Sequence, residues 1–195
     1  EISFNGESFI RSDTLFKFYD VPRIMTVMPS TVSIRDPTQV HIVGVNFNNP
    51  ETVTYRIRNT IIKPTTRNEN EMLIVTPIFD EAENFTEYLE ISLNGIDFES
   101  SGKMFEFLEP PIISEVEPPF IHESRNMAIK VLGKGFFMSN LLSCVLQTEY
   151  QRISLTASYL TSEVIECTLP EFQQRLPSIV EVSISSFGQV LPSDP

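Results

Sequence analysis

A chain of 195 residues holds one large domain or two ordinary ones, and 41% hydrophobic with 21% charged residues suits a folded protein, not a disordered one. The net charge of −12 repels phosphate backbones and the 14 Lys and Arg form no patch, so nucleic acid is not an expected partner. No apolar run approaches the ~20 residues needed to cross a bilayer, so no direct membrane contact is expected within this segment.

The chain opens on EISFNGESF, which has no initiator Met and no signal-peptide pattern. A secretion signal or anchor is therefore expected outside this segment. The same pattern returns at 90–98 as EISLNGIDF. Residues 1–47 lie over residues 90–136 without a gap, and 15 of these 47 pairs are identical against about 3 expected by chance. Phe16 and Phe18 fall on Phe105 and Phe107; Pro22, Ile24, Val27 and Pro29 fall on Pro111, Ile113, Val116 and Pro118; Gly44 and Phe47 fall on Gly133 and Phe136. One structural unit of 89 residues is repeating. Its phase makes residues 1–21 the last strands of a preceding unit, 22–109 a whole unit, and 110–195 a second.

The next segments read as strands. Ile24 and Val27 are three apart, so their strand must kink or bulge to bury both, and the flanking Pro22 and Pro29 suit an edge position. Val40 and Ile42 alternate with His41; Leu89, Ile91 and Leu93 alternate with Glu90, Ser92 and Asn94. This period of two puts one face in a core and the other in water. Asn5-Gly6 and Asn94-Gly95 follow strands and fit either a tight reversal or a wider loop. ENEMLIVTP and TSEVIECTLP are a matched pair of strands, each ended by Pro. ISLTASYL at 153–160 carries the single hint of a helix and reads equally as a strand. VEVSIS at 180–185 matches LEISLN at 89–94, but FGQVLPSDP has no counterpart of MFEF, so the last strand is cut off, divergent or supplied elsewhere. With 15 Phe, no Trp and 14 Pro punctuating short β-branched and aromatic runs, seven or so strands per unit give an all-β fold of tandem immunoglobulin-like β-sandwiches.

A unit that opens P-x-I-x-x-V-x-P, reaches an apolar strand ending G-x-x-F, has a middle strand ending T-P or C-x-x-P and closes on an alternating strand resembles the TIG/IPT domain. The pieces are Pro22 to Pro29, VHIVGVNF, IVTP and LEISLNG, then Pro111 to Pro118, IKVLGKGF, IECTLP and VEVSISS. The family's frequent Gly-Gly-Thr before the second strand is absent; Asp36-Pro37-Thr38 and Arg125-Asn126-Met127 stand there. The resemblance implies early-set immunoglobulin-like modules, found in tandem stalks of cell-surface proteins.

It also implies a strand-to-strand disulfide, because Cys144 and Cys167 sit where many extracellular members carry one. Closing that loop of about 24 residues would stabilise the unit by roughly 3 kcal/mol. The other reading is a pair of buried free thiols. Asn84-Phe85-Thr86 is a candidate glycosylation site before a strand. The remaining chemistry-bearing residues have plain readings. His41 and His122 lie in different units, and a solvated or partly packed side chain accounts for each. Asp80, Glu81 and Glu83 form a small acidic cluster, capable of weak Ca²⁺ binding but better read as a solvated loop. In Phe136-Phe137-Met138, Phe136 is a core residue by its match to Phe47. The Gly-Lys-Gly at 133–135 is no phosphate loop, because no Gly-Lys-Ser/Thr follows. No catalytic residue, cofactor site or metal site is expected.

The function expected is a non-catalytic, semi-rigid stalk of a larger multi-repeat protein, contacting other protein domains, including its own neighbouring units, at the cell surface or outside the cell. An intracellular filamin-like scaffold and a set of accessory modules in a larger enzyme are the alternatives.

Overall fold

The structure is a computed structural model that describes residues 1–11, 20–47, 52–81, 83–120, 127–147, 152–169, 180–185, 187 and 190–191. Among these there is no helix. A short hairpin, β1 (Ile2–Ser3) and β2 (Phe9–Ile10), comes first and pairs antiparallel. Nine strands follow: β3 (Arg23–Met28), β4 (Thr31–Ser33), β5 (Gln39–Val45), β6 (Thr54–Ile57), β7 (Thr60–Ile62), β8 (Thr66–Arg67), β9 (Glu71–Val75), β10 (Phe85–Ser92) and β11 (Glu99–Leu108). They form a four-stranded sheet in the order β3-β5-β9-β8 and a five-stranded sheet in the order β4-β11-β10-β6-β7. Nine strands rather than seven arise because Pro29 divides the first strand and Pro64 interrupts the middle one.

The alternation of apolar residues fills the space between the two sheets. Ile24, Val40, Ile42, Met72 and Ile74 come from one sheet and Tyr55, Ile57, Leu89, Ile91, Phe105 and Phe107 from the other, all buried in one core. β3 lies at the sheet edge, and its register on β5 shifts between Ile24 and Thr26. That bulge brings Ile24 to the core and leaves Val27 half-buried against it, as the three-residue spacing requires. The Gly of G-x-x-F has a steric reason. A Cβ on Gly44 would lie 2.5 Å from the Arg23 carbonyl oxygen and 2.5 Å from the Phe47 ring, so Gly lets β3 and the ring close over it.

The second set of strands is β12 (Ile112–Glu117), β13 (Met127–Lys134), β14 (Ser143–Gln147), β15 (Arg152–Thr161), β16 (Val164–Leu169), β17 (Glu181–Ser185) and β18 (Val190–Leu191). It surrounds its own core of Ile129, Val131, Phe136, Leu142, Cys144, Leu146, Ile165, Cys167 and Ile184. β12 repeats the edge position and the bulge of β3, now between Ile113 and Glu115. Residues 153–160 lie in β15, so the strand reading holds there.

Here the two units part. β15 pairs with β14 through Arg152–Thr156 and then with β16 through 157–161, joining all seven strands into one continuous sheet. In the first unit the corresponding chain is split. β7 pairs with β6, β8 pairs with β9, and the buried Pro64 between them cannot donate to a ladder. Strand pairing also corrects the match of VEVSIS to LEISLN. Ile91 lies opposite Tyr55 and Ile184 opposite Cys144, so Ile184 is the counterpart of Ile91, not of Leu93. The repeat shift therefore grows from 89 at Tyr55 and Cys144 to 93 at Ile62 and Leu155 and is still 93 at Ile91 and Ile184, so the added residues lie between Cys144 and Leu155.

Candidate functional site

Among the described residues a polar constellation lies between β11 and β12. Glu109 follows β11 and precedes Pro110-Pro111. Its backbone N–H donates to Asn84 Oδ1 at 2.8 Å. Its carboxylate receives Arg35 in a two-pronged contact, Nη2 to Oε1 at 2.6 Å and Nε to Oε2 at 3.2 Å. Arg35 also donates from Nη1 to Asp80 Oδ1 at 3.3 Å and from Nη2 to the Glu81 carbonyl at 2.9 Å. Glu109, with a smaller contribution from Asp80, raises the already high pKa of Arg35 and keeps it a fixed cation. One residue earlier, the Leu108 carbonyl accepts from Ile34 N–H at 2.9 Å. Main chain and side chain at the exit of the first unit are thus both held by that unit.

The turn before β4's successor is built to place Arg35. Ser33 Oγ accepts from the backbone of Arg35 at 3.1 Å and of Asp36 at 2.9 Å. Thr38 N–H donates to Thr76 Oγ1 at 2.9 Å, and Thr76 N–H returns a bond to the Thr38 carbonyl at 2.9 Å. Asp36-Pro37-Thr38 therefore makes the turn by side-chain bonds where Gly-Gly-Thr is absent.

A second arginine braces the same loop. Arg58 reaches Glu81 at 2.7 Å and Glu87 at 3.2 Å, and its guanidinium lies 3.9 Å above the Phe85 ring. Phe85 stacks on Phe107, and Phe79 meets both edge-on. Such a cation over a ring is worth about 0.5–1 kcal/mol at an exposed position. The acidic cluster is consequently spoken for: Asp80 faces Arg35, Glu81 faces Arg58, and Glu83 is exposed beside them. Among the described residues no group of three or more His, Cys, Asp or Glu is placed to hold a metal ion. Neither arginine has a counterpart in the repeat, where Ser124 and Gln147 stand, so the self-match gave no hint of them.

Cys144 and Cys167 are buried, belong to β14 and β16, and are joined Sγ to Sγ with Cα atoms 6.2 Å apart. Their first-unit counterparts by strand pairing are Tyr55 and Ile74, both fully buried. Asn84 is exposed; its Oδ1 is engaged by Glu109 while Nδ2, the atom that would carry a sugar, is on the other side of the amide. His41 is exposed on β5, 3.8 Å from Glu71; His122 lies outside the described residues. Phe136 is buried like Phe47, Phe137 meets Phe187 at 5.2 Å, and Met138 is exposed.

Both Asn-Gly segments turn out as the same wide loop. Asn94 Oδ1 accepts from Ile96 and Asp97 N–H, and Ser92 Oγ from Gly95 N–H; Asn5 Oδ1 accepts from Glu7 and Ser8, and Ser3 Oγ from Gly6. The repeat is thereby visible at the level of single hydrogen bonds.

Two sheets around an alternating core, with β3 at one edge, define an immunoglobulin-like module. The family model described as the IPT/TIG domain matches residues 22–107. Residues 22–107 are thus similar to the IPT/TIG family. Among solved structures it is similar in fold to the plexin A4 extracellular region. One such structure, domains 1 to 10, gives a TM-score of 0.56 at 17% identity over 77% of this chain and 13% of that one. Another, with domains 1 to 8, gives 0.55 at 13% identity over 99% of this chain and 19% of that one. This chain thus spans less than a fifth of those chains. No curated protein sequence matches it.

Proposed function

We propose that this chain is a non-catalytic piece of a semi-rigid stalk of immunoglobulin-like units, divided as 1–21, 22–109 and 110–195, that spaces neighbouring domains and contacts other proteins outside the cell or at its surface. The observation that carries the reading is Glu109, held by its N–H, by its carboxylate and through the preceding carbonyl just before Pro110-Pro111. A spacer needs an exit direction fixed by the unit it leaves, and two prolines continue that stiffness.

The partners would be read on outer faces, because the units agree inside and differ outside. The cross-strand row Met28, His41, Leu73 of the first unit corresponds to Glu117, Lys130, Glu166 of the second. A row with two apolar residues around a histidine and a row of three charged residues favour different partner surfaces.

The surface setting is supported by the buried Cys pair and the exposed Asn84. Intact-mass measurement of native material, alkylated without reduction, tests it. The expected result is a chain whose Cys144 and Cys167 resist alkylation and whose Asn84 carries a sugar. Two alkylated thiols and a bare Asn84 would assign the array to the interior of the cell and defeat the surface reading.

A further inference from the structure

We infer that Asn46 is a clamp on the chain that enters the first unit, a hold that its counterpart Gly135 cannot supply in the second. Both residues stand at the same point of the fold, two positions after the Gly of G-x-x-F and directly before the Phe. Both have a left-handed backbone, with φ of 65° at Asn46 and 79° at Gly135. The shape recurs because the chain must turn back there. Phe47 and Phe136 then reach the two cores, each with its ring against the Gly three residues before it. Glycine adopts this backbone without steric cost, and a residue with a side chain does so at some expense.

Asn46 therefore keeps a backbone that glycine would relax, and an outlier of this kind points to a use for the side chain. That use lies in its amide. Asn46 is half-buried, and its Nδ2 donates to the Val21 carbonyl at 3.0 Å, just before Pro22 and β3. The Val21 side chain is exposed and does not anchor the segment. Pro22 has no N–H to tie it to the sheet. Among the described residues the Asn46 amide is what holds the incoming chain at Val21. In the second unit Pro110 stands at the position of Val21, and Gly135 has no side chain with which to reach it. That joint is gripped from the other side, by Arg35 and Asn84 acting on Glu109. The first joint is thus held by the unit being entered and the second by the unit being left. The value of the clamp to the whole chain rests on the stalk reading; the clamp itself does not.

Backbone ¹⁵N relaxation of the 195-residue chain tests this with two variants. In the parent, Val21 should show an order parameter of about 0.85, like a strand residue, and in Asn46→Asp it should fall below about 0.6. Aspartate suits the left-handed backbone but carries a carboxylate, which cannot donate to a carbonyl. Asn46→Gly should loosen Val21 equally while β5 and β9 keep the parent's order parameters. A Val21 that stays rigid in either variant, or is already loose in the parent, overturns the clamp. So does loss of the fold in Asn46→Gly, because glycine fits this backbone. Unequal alignment tensors for the two units, beside a Val21 rigid in the parent and loose in both variants, would uphold the clamp and remove the stalk reading.

Discussion

Tyr55 occupies the position that Cys144 holds in the other unit, and it does so at a cost. Its hydroxyl is buried with no hydrogen-bond partner among the described residues, and burial pushes its pKa well above the ordinary 10.0. The ring is needed for volume, whereas the oxygen is not. Tyr55→Phe is therefore expected to leave stability at neutral pH within about 1 kcal/mol of the parent, or to raise it. The pH dependence has a definite sign. A folded-state pKa raised above the unfolded one gives stability that is intact below pH 10.0 and is lost as pH rises toward the folded value. Above pH 10.0 the parent should lose ~1.4 kcal/mol per pH unit relative to Tyr55→Phe, measured by urea denaturation of both proteins between pH 8 and 11. Parallel stability curves would contradict this account of the hydroxyl.

At the scale of elements, one change in sequence converts one architecture into another. Without a proline at the position of Pro64, two short strands on separate sheets become the single strand β15 that belongs to both. The Cys144–Cys167 link then ties β14 to β16 across the unit, while in the first unit Tyr55 and Ile74 fill the same places by packing. Reduction should lower the stability of the second unit by roughly 3 kcal/mol and leave the first unchanged. Urea unfolding with and without reductant, followed by hydrogen exchange in β9 and β16, reads the two separately; equal shifts in both would refute the assignment. Much of this level was legible beforehand. Period-two alternation located β10 and β5, the match of ENEMLIVTP to TSEVIECTLP located β9 and β16, and the spacing of Ile24 and Val27 announced a bulge. The true partner of Ile184 was not legible, because LEISLN and VEVSIS resemble each other best two residues out of the register that hydrogen bonding sets.

At the scale of the whole molecule, the interior is what repeats and the joint is what the repeat concealed. Gly44 with Phe47 and Gly133 with Phe136 recur because a Cβ would strike the edge strand in each unit. Arg35 does not recur, Ser124 standing at its repeat position, although Asp20 stands at that of Glu109; ion pairs between residues far apart in sequence leave no periodic trace. Their contact is half-exposed, so its role is to fix direction more than to add stability. Residual dipolar couplings measured on 22–107 and on the strands after 111 test the stalk reading most directly. One common alignment tensor is expected for the parent chain, and two diverging tensors once Arg35→Ala and Asn84→Ala release Glu109. Separate, unequal tensors already in the parent would mean that the units reorient freely, and the chain would be no spacer.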